Sequence, residues 1–184
     1  MQTVWPDWIS ADINRMVSVD VETAGPNPAD YALLSIGACT LGSPKSKFYV
    51  ELKPTTMNSE SGSQVVHQLD LAQLAQTGER PEDAMRQFTD WLNEVIDSDQ
   101  DPLFLGFNAP FDWMFVCDYF HRFTGHNPFG HSAVDIKSFL MGFNHLDWQS
   151  TSMAHLTTKK LRHNALEDAI DQADLFRGFV IGSE

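Results

Sequence analysis

Met16-Val17-Ser18-Val19-Asp20-Val21-Glu22-Thr23-Ala24-Gly25 alternates valine with small or acidic residues. That is the period-two pattern of a β-strand, in which side chains two apart share a face. Asp20 and Glu22 therefore point the same way. Two neighbouring carboxylates repel each other and are costly to desolvate unless a cation lies between them, and hard oxygen ligands suit Mg²⁺ or Mn²⁺. An isolated Asp-x-Glu is more often a solvated pair at the end of an edge strand, because short motifs recur by chance. The surrounding chain has to decide between the two readings.

Beyond this strand, Gly25-Pro26-Asn27-Pro28 breaks the chain, and the apolar run Tyr31 to Leu41 reads as a second strand. Lys47 to Leu52 reads as a third, joined to it through the turn-like Gly42-Ser43-Pro44, and Thr55 to Ser63 as a polar loop. Leu69, Leu71, Leu74 and Ala75 predict a short helix ended by Gly78, and Pro81-Glu82-Asp83 opens a longer one. There Met85, Phe88, Trp91, Leu92 and Val95 recur at helical spacing, as a core-facing stripe does, down to about Ile96. An acidic linker, Asp97 to Asp101, precedes a buried strand at Pro102 to Phe107. A helix from Phe111 to about Phe123 follows, then a short strand at Ala133-Val134-Asp135, a helix over Ile136 to Phe143, and a last helix from about Asn164. Three strands followed by alternating helix and strand predict an α/β fold, with a mixed sheet of five strands and helices on both faces. Residues 1–15 read as an irregular lead-in packed on the domain, to which no function is assigned.

A chain of 184 residues fits one domain with a full core, and neither an internal repeat nor a boundary interrupts residues 1–184. Met1 to Ala11 has no basic residue and no unbroken apolar run, so a signal peptide and a membrane span are not supported and the cytoplasm is the expected compartment. Cys39 and Cys117 lie in apolar segments, too few and too isolated for a disulfide framework or a zinc site. The formal net charge of −13 argues against extensive wrapping of duplex through its phosphates. It leaves room for a small site in which metal ions supply the positive charge.

Two further acidic elements give the first its context. Asp112, in Phe107-Asn108-Ala109-Pro110-Phe111-Asp112, sits at a strand-to-helix junction, where helix capping alone would also account for an acid. In His163-Asn164-Ala165-Leu166-Glu167-Asp168 the spacing of the outer pair does not stack on a helix face, so the histidine is expected in the loop and the aspartate in the first turns of the last helix. The order of these three motifs resembles that of the DEDDh (DnaQ-like) 3′-5′ exonucleases, the family of proofreading exonuclease subunits and ribonuclease T. The similarity runs from about Val17 to Phe179.

That resemblance implies a ribonuclease-H-like exonuclease fold and a metal-dependent enzyme that hydrolyses single-stranded DNA or RNA from the 3′ end to mononucleotides. It implies that Asp20, Glu22, Asp112 and Asp168 hold two Mg²⁺ or Mn²⁺ ions, with Asp20 bridging them. His163 would be the general base that takes a proton from the attacking water. The backbone around Thr23, the Asn108 junction and the ring of Phe111 would frame the terminal nucleotide. Paired ions flanking a phosphate and an imidazole that titrates near neutrality suit that chemistry. An aromatic face stacks on any base, as suits a reader of ends rather than of sequence. The resemblance also allows a homodimer. The alternative is a binding or interaction module that keeps the fold without turnover, although such a module has no chemical need for four mutually repelling acids.

Lys159, Lys160 and Arg162 form a tight basic cluster just before His163 and are candidates for steering a strand's phosphates, against the plainer reading of a solvated loop. His121, His126 and His131 recur at intervals of five, but no Cys or Glu completes a known ligand spacing there.

Overall fold

The first strand is β1, Met16–Thr23, and it lies at the centre of the sheet. The computed structural model describes residues 6–42, 45–60, 69–156 and 163–181. Within these, β2 is Leu33–Thr40, β3 Lys47–Glu51, β4 Leu103–Gly106 and β5 Ala133–Asp135. Their order across the sheet is β3-β2-β1-β4-β5. The β1–β2 and β2–β3 pairs are antiparallel, and the β1–β4 and β4–β5 pairs parallel. The expected mixed sheet of five strands is thus observed, with each strand within two or three residues of where its apolar run placed it.

The helices are α1, Asp7–Ser10; α2, Leu71–Thr77; α3, Pro81–Val95; α4, Pro110–Phe123; α5, Ile136–Phe143; α6, Met153–Leu156; and α7, Ala165–Ile181. Proline at the first position opens both α3 and α4, where a missing amide hydrogen costs nothing. The side chain of Asp70 caps α2 and that of Asp135 caps α5, each accepting from an amide three residues on. No described helix is long and apolar enough to cross a membrane.

The alternation in β1 sends its residues to opposite faces. Val17, Val19 and Val21 join Phe88, Phe104, Phe115 and Phe120 in the core under α3 and α4. Ser18 faces the other way, where its hydroxyl donates to the Ala169 carbonyl of α7 at 2.8 Å. Asp20 and Glu22, in step with Ser18, share that side. The helix can lie close there because its inner face is small, with Ala165, Ala169 and Ala173 all buried. At Gly37 of β2, opposite Asp20 in the ladder, an added Cβ would sit 2.1 Å from the Ala165 carbonyl carbon and the Leu166 nitrogen. Only glycine admits α7 at that distance.

Over its described residues the lead-in packs on the domain as expected but is not irregular. Instead of irregular chain, α1 and a 3₁₀ turn at Ile13–Arg15 bury Ile9 and Ile13 in the core that α5 and α7 form with Met16 and Leu105. Two turns this short leave too few periodic positions to register in the sequence. The same holds for α6, which was not expected. The proposed Gly42-Ser43-Pro44 turn lies partly outside the described residues, as does the end of the loop from Thr55 to Ser63.

Candidate active site

The acids converge at the end of β1, where β4 stops pairing with it. The parallel ladder ends at Ser18 and Leu105, and the chain then turns through Phe107-Asn108-Ala109 into α4. That turn needs φ of +61° at Asn108, a left-handed backbone that asparagine tolerates better than most residues, and its carbonyl accepts from the Phe111 amide at 3.1 Å. The Ala109 amide donates to Asp135 Oδ1 at 3.1 Å, tying the turn to the start of α5. Asp112, in the first turn of α4, is thereby delivered over the sheet end, where its Oδ1 accepts from the Val21 amide at 3.0 Å. A side chain from a helix on one face thus takes up an amide of the central strand.

Asp168 arrives from the other face. Asn164 begins α7 by accepting from the amides of Glu167, through its side chain, and Asp168, through its carbonyl. One carboxylate oxygen each from Asp20, Glu22 and Asp168 lie within 4.8 Å of one another. Asp112 stands beside this group but outside it, turned toward the Val21 amide. All four acids are buried or, for Asp20, partly so.

Such crowding shows in their protonation. Burial, with Asp112, Glu22 and Asp168 around it, raises the Asp20 carboxyl well above the usual carboxylate range, and the Gln172 amide only partly offsets this. Burial first and Asp168 second push Glu22 up to about 7. Burial also carries Asp112 up to about 8, against the pull of the Val21 amide. Buried oxygen donors that are this reluctant to ionise alone fit a hard divalent cation, which would offset their repulsion.

His163 lies directly before Asn164, with an exposed ring and φ of +53°. A non-glycine residue held there carries strain, and strain of this kind gathers at functional positions. Thr23 is buried, its hydroxyl donating to the Gly25 carbonyl at 2.9 Å, and Phe111 is half-buried against Phe115. Lys159, Lys160 and Arg162 lie outside the described residues. His121, His126 and His131 are exposed and do not belong to the carboxylate group.

Sequence reasoning missed three supporting residues. Gly37 sets the approach of α7, and Asp135 ties the Asn108 turn to α5. Gln172, only 3% exposed, touches Asp20 directly. The spacing of Asp168 and Gln172, one helical turn apart, was the available signal for the last.

Comparison with known proteins bears on this geometry. Residues 15–179 match the model of the 3′-5′ exoribonuclease Rv2179c-like domain. The chain is 44% identical over 172 residues to the 3′-5′ DNA exonuclease Cap18 of Escherichia coli, covering 90% of this chain and 91% of that protein. Among solved structures it superposes on the nuclease domain of 3′hExo, a DEDDh family member bound to rAMP. The TM-score is 0.74 at 12% identity, over 91% of this chain and 92% of that one. It also superposes on E. coli exonuclease I in complex with a dT13 oligonucleotide, with a TM-score of 0.70 at 16% identity over 88% of this chain. There it spans only 40% of the longer protein. At these identities the structural likenesses establish the ribonuclease-H-like exonuclease fold.

Proposed function

Because the chain belongs to the 3′-5′ exoribonuclease Rv2179c-like domain family, we propose that it is a divalent-metal-dependent exonuclease that releases mononucleotides from the 3′ end of a single strand. The observation that carries this reading is the meeting of Asp20, Glu22 and Asp168 within 4.8 Å, with Asp112 alongside. In this reading Asp20, Glu22, Asp112 and Asp168 hold two Mg²⁺ or Mn²⁺ ions. Ions so bound would stabilise both the attacking and the leaving oxygen of a phosphodiester.

The chain's own groups do the rest. His163 accepts the proton of the attacking water; its exposed ring, at the mouth of the last motif, is open to substrate. Phe111 offers a half-buried aromatic face for the terminal base, and the Thr23 and Asn108 turns border the same sheet end. Lys159, Lys160 and Arg162 draw in the strand's phosphates. DNA is the first substrate to test, since the relative at 44% identity is a DNA exonuclease, while the family description names an exoribonuclease.

The test is incubation with single-stranded DNA and RNA labelled at either end, with Mg²⁺, with Mn²⁺ and with chelator. Mononucleotides released from the 3′ end, only with metal, are expected. Cleavage in chelator, or internal cuts in a circular strand, would contradict the proposal.

A further inference from the structure

We infer that Gln172 is a positioning residue for the carboxylate centre, holding Asp20 in one orientation relative to Asp168 and to the turn that carries Asp112. Its Nε2 amide donates to Asp20 Oδ1 at 2.5 Å, and its Oε1 accepts from the Phe107 amide at 2.9 Å. The amide cannot be flipped: a backbone N–H only donates, so the oxygen must face Phe107 and the amino group must face Asp20. Both ends of a side chain that is 3% exposed are therefore used.

The three elements that supply acids all meet here. Gln172 lies on α7 one turn beyond Asp168, Phe107 opens the turn leading to Asp112, and Asp20 is on β1. A neutral amide donor orients Asp20 without adding another negative charge to the cluster and without a fixed cation that would compete with a bound metal. Glutamate would repel it, and an apolar side chain would leave two polar groups unsatisfied. Groups that orient a metal ligand in this way are commonly worth about tenfold to a hundredfold in metal affinity. This inference rests on the reading above, in which Asp20 is a metal ligand.

Calorimetric titration of Mn²⁺ alone, without nucleic acid, into wild type, Gln172→Met and Ser18→Ala tests it. Methionine keeps the length and apolar stem of glutamine but neither hydrogen bond. Ser18→Ala removes the bond to Ala169, which joins the same strand to the same helix without involving an acid. Gln172→Met should lose about tenfold to a hundredfold in Mn²⁺ affinity. Ser18→Ala should melt earlier and bind Mn²⁺ as wild type does. At saturating Mn²⁺ the KM of Gln172→Met for single-stranded DNA should return to that of wild type. Gln172→Asn, an amide one methylene too short to span both partners, gives the same reading if the methionine variant does not fold. Unchanged Mn²⁺ affinity in a folded Gln172 variant would overturn the assignment, as would an equal loss in Ser18→Ala. Wild type that binds no Mn²⁺ would instead overturn the metal reading beneath it.

Discussion

His163 occupies a backbone position that most residues avoid, with φ of +53°, one step ahead of the residue that starts α7. Replacing it by alanine would confuse the loss of the imidazole with the strain of the turn. Asparagine, which accepts the left-handed conformation, separates the two. In His163→Asn the carboxylates proposed to bind metal are untouched, so Mn²⁺ affinity should be preserved. Turnover should fall by about a hundredfold to ten-thousandfold, the usual share of general-base catalysis. Single-turnover cleavage of a labelled oligonucleotide, run beside metal titration, reads both quantities. A mutant as fast as wild type would remove His163 from the chemistry. Asp20→Ala is expected to behave in the opposite sense, losing Mn²⁺ binding and turnover together, because Asp20 sits among the other three acids. Retention of wild-type Mn²⁺ affinity by that variant would show that Asp20 is not a ligand.

At the scale of elements, the site depends on how closely α7 lies on β1 and β2. Gly37 is the contact that sets this distance, with the helix backbone where its Cβ would be. Gly37→Ala should therefore push α7 outward. Overpacking of this kind costs about 1–3 kcal/mol, and backbone on the far side gives less than a side chain would. Because Asp168 rides on that helix, weaker Mn²⁺ binding should accompany the lower melting temperature. Gly142 is the matched control, a helical glycine in α5 with nothing within 4 Å of an added Cβ. Gly142→Ala should stabilise by roughly 0.5–1 kcal/mol and leave metal binding alone. Thermal melts with and without Mn²⁺ compare the two. Equal tolerance at both glycines would mean that the sheet and helix can part without cost.

For the whole molecule, the buried acids set a pH dependence opposite to that of ordinary salt-bridged carboxylates. Asp20 is raised, and Glu22 and Asp112 stand at about 7 and about 8, whereas in the unfolded chain such groups ionise near 4. Between about pH 4 and pH 8 the folded state therefore holds more protons than the unfolded one, so metal-free stability should fall as pH rises through that window. Below it all these groups are protonated in both states, and the cost disappears. Divalent ions compete with the same protons, so the rise in melting temperature on adding Mg²⁺ should be small near pH 5 and largest near pH 8. Melting curves across this range in chelator and in Mg²⁺ measure both trends. Metal-free stability that climbed between pH 5 and pH 8 would mean that the four acids are not crowded as described.

Local pattern determined most of the elements, and the order of three acidic motifs, through its resemblance to a known family, singled out the acids. A period of two in β1 put Asp20 and Glu22 on one side, and breakers and caps bounded the strands and longer helices. The placing of Asp112 and Asp168 at helix starts was legible for the same reason, since a first turn is a matter of neighbouring residues. Short turns such as α1 and α6 were not, because they carry too few residues for a period to show. The approach of α7 over Gly37, the capture of the Val21 amide by Asp112 and the Gln172 bridge from Asp20 to Phe107 are contacts between residues far apart in the chain. Spacing along one element records which face a side chain takes. Which partner meets it there is decided only when the packed faces of sheet and helix bring the elements together.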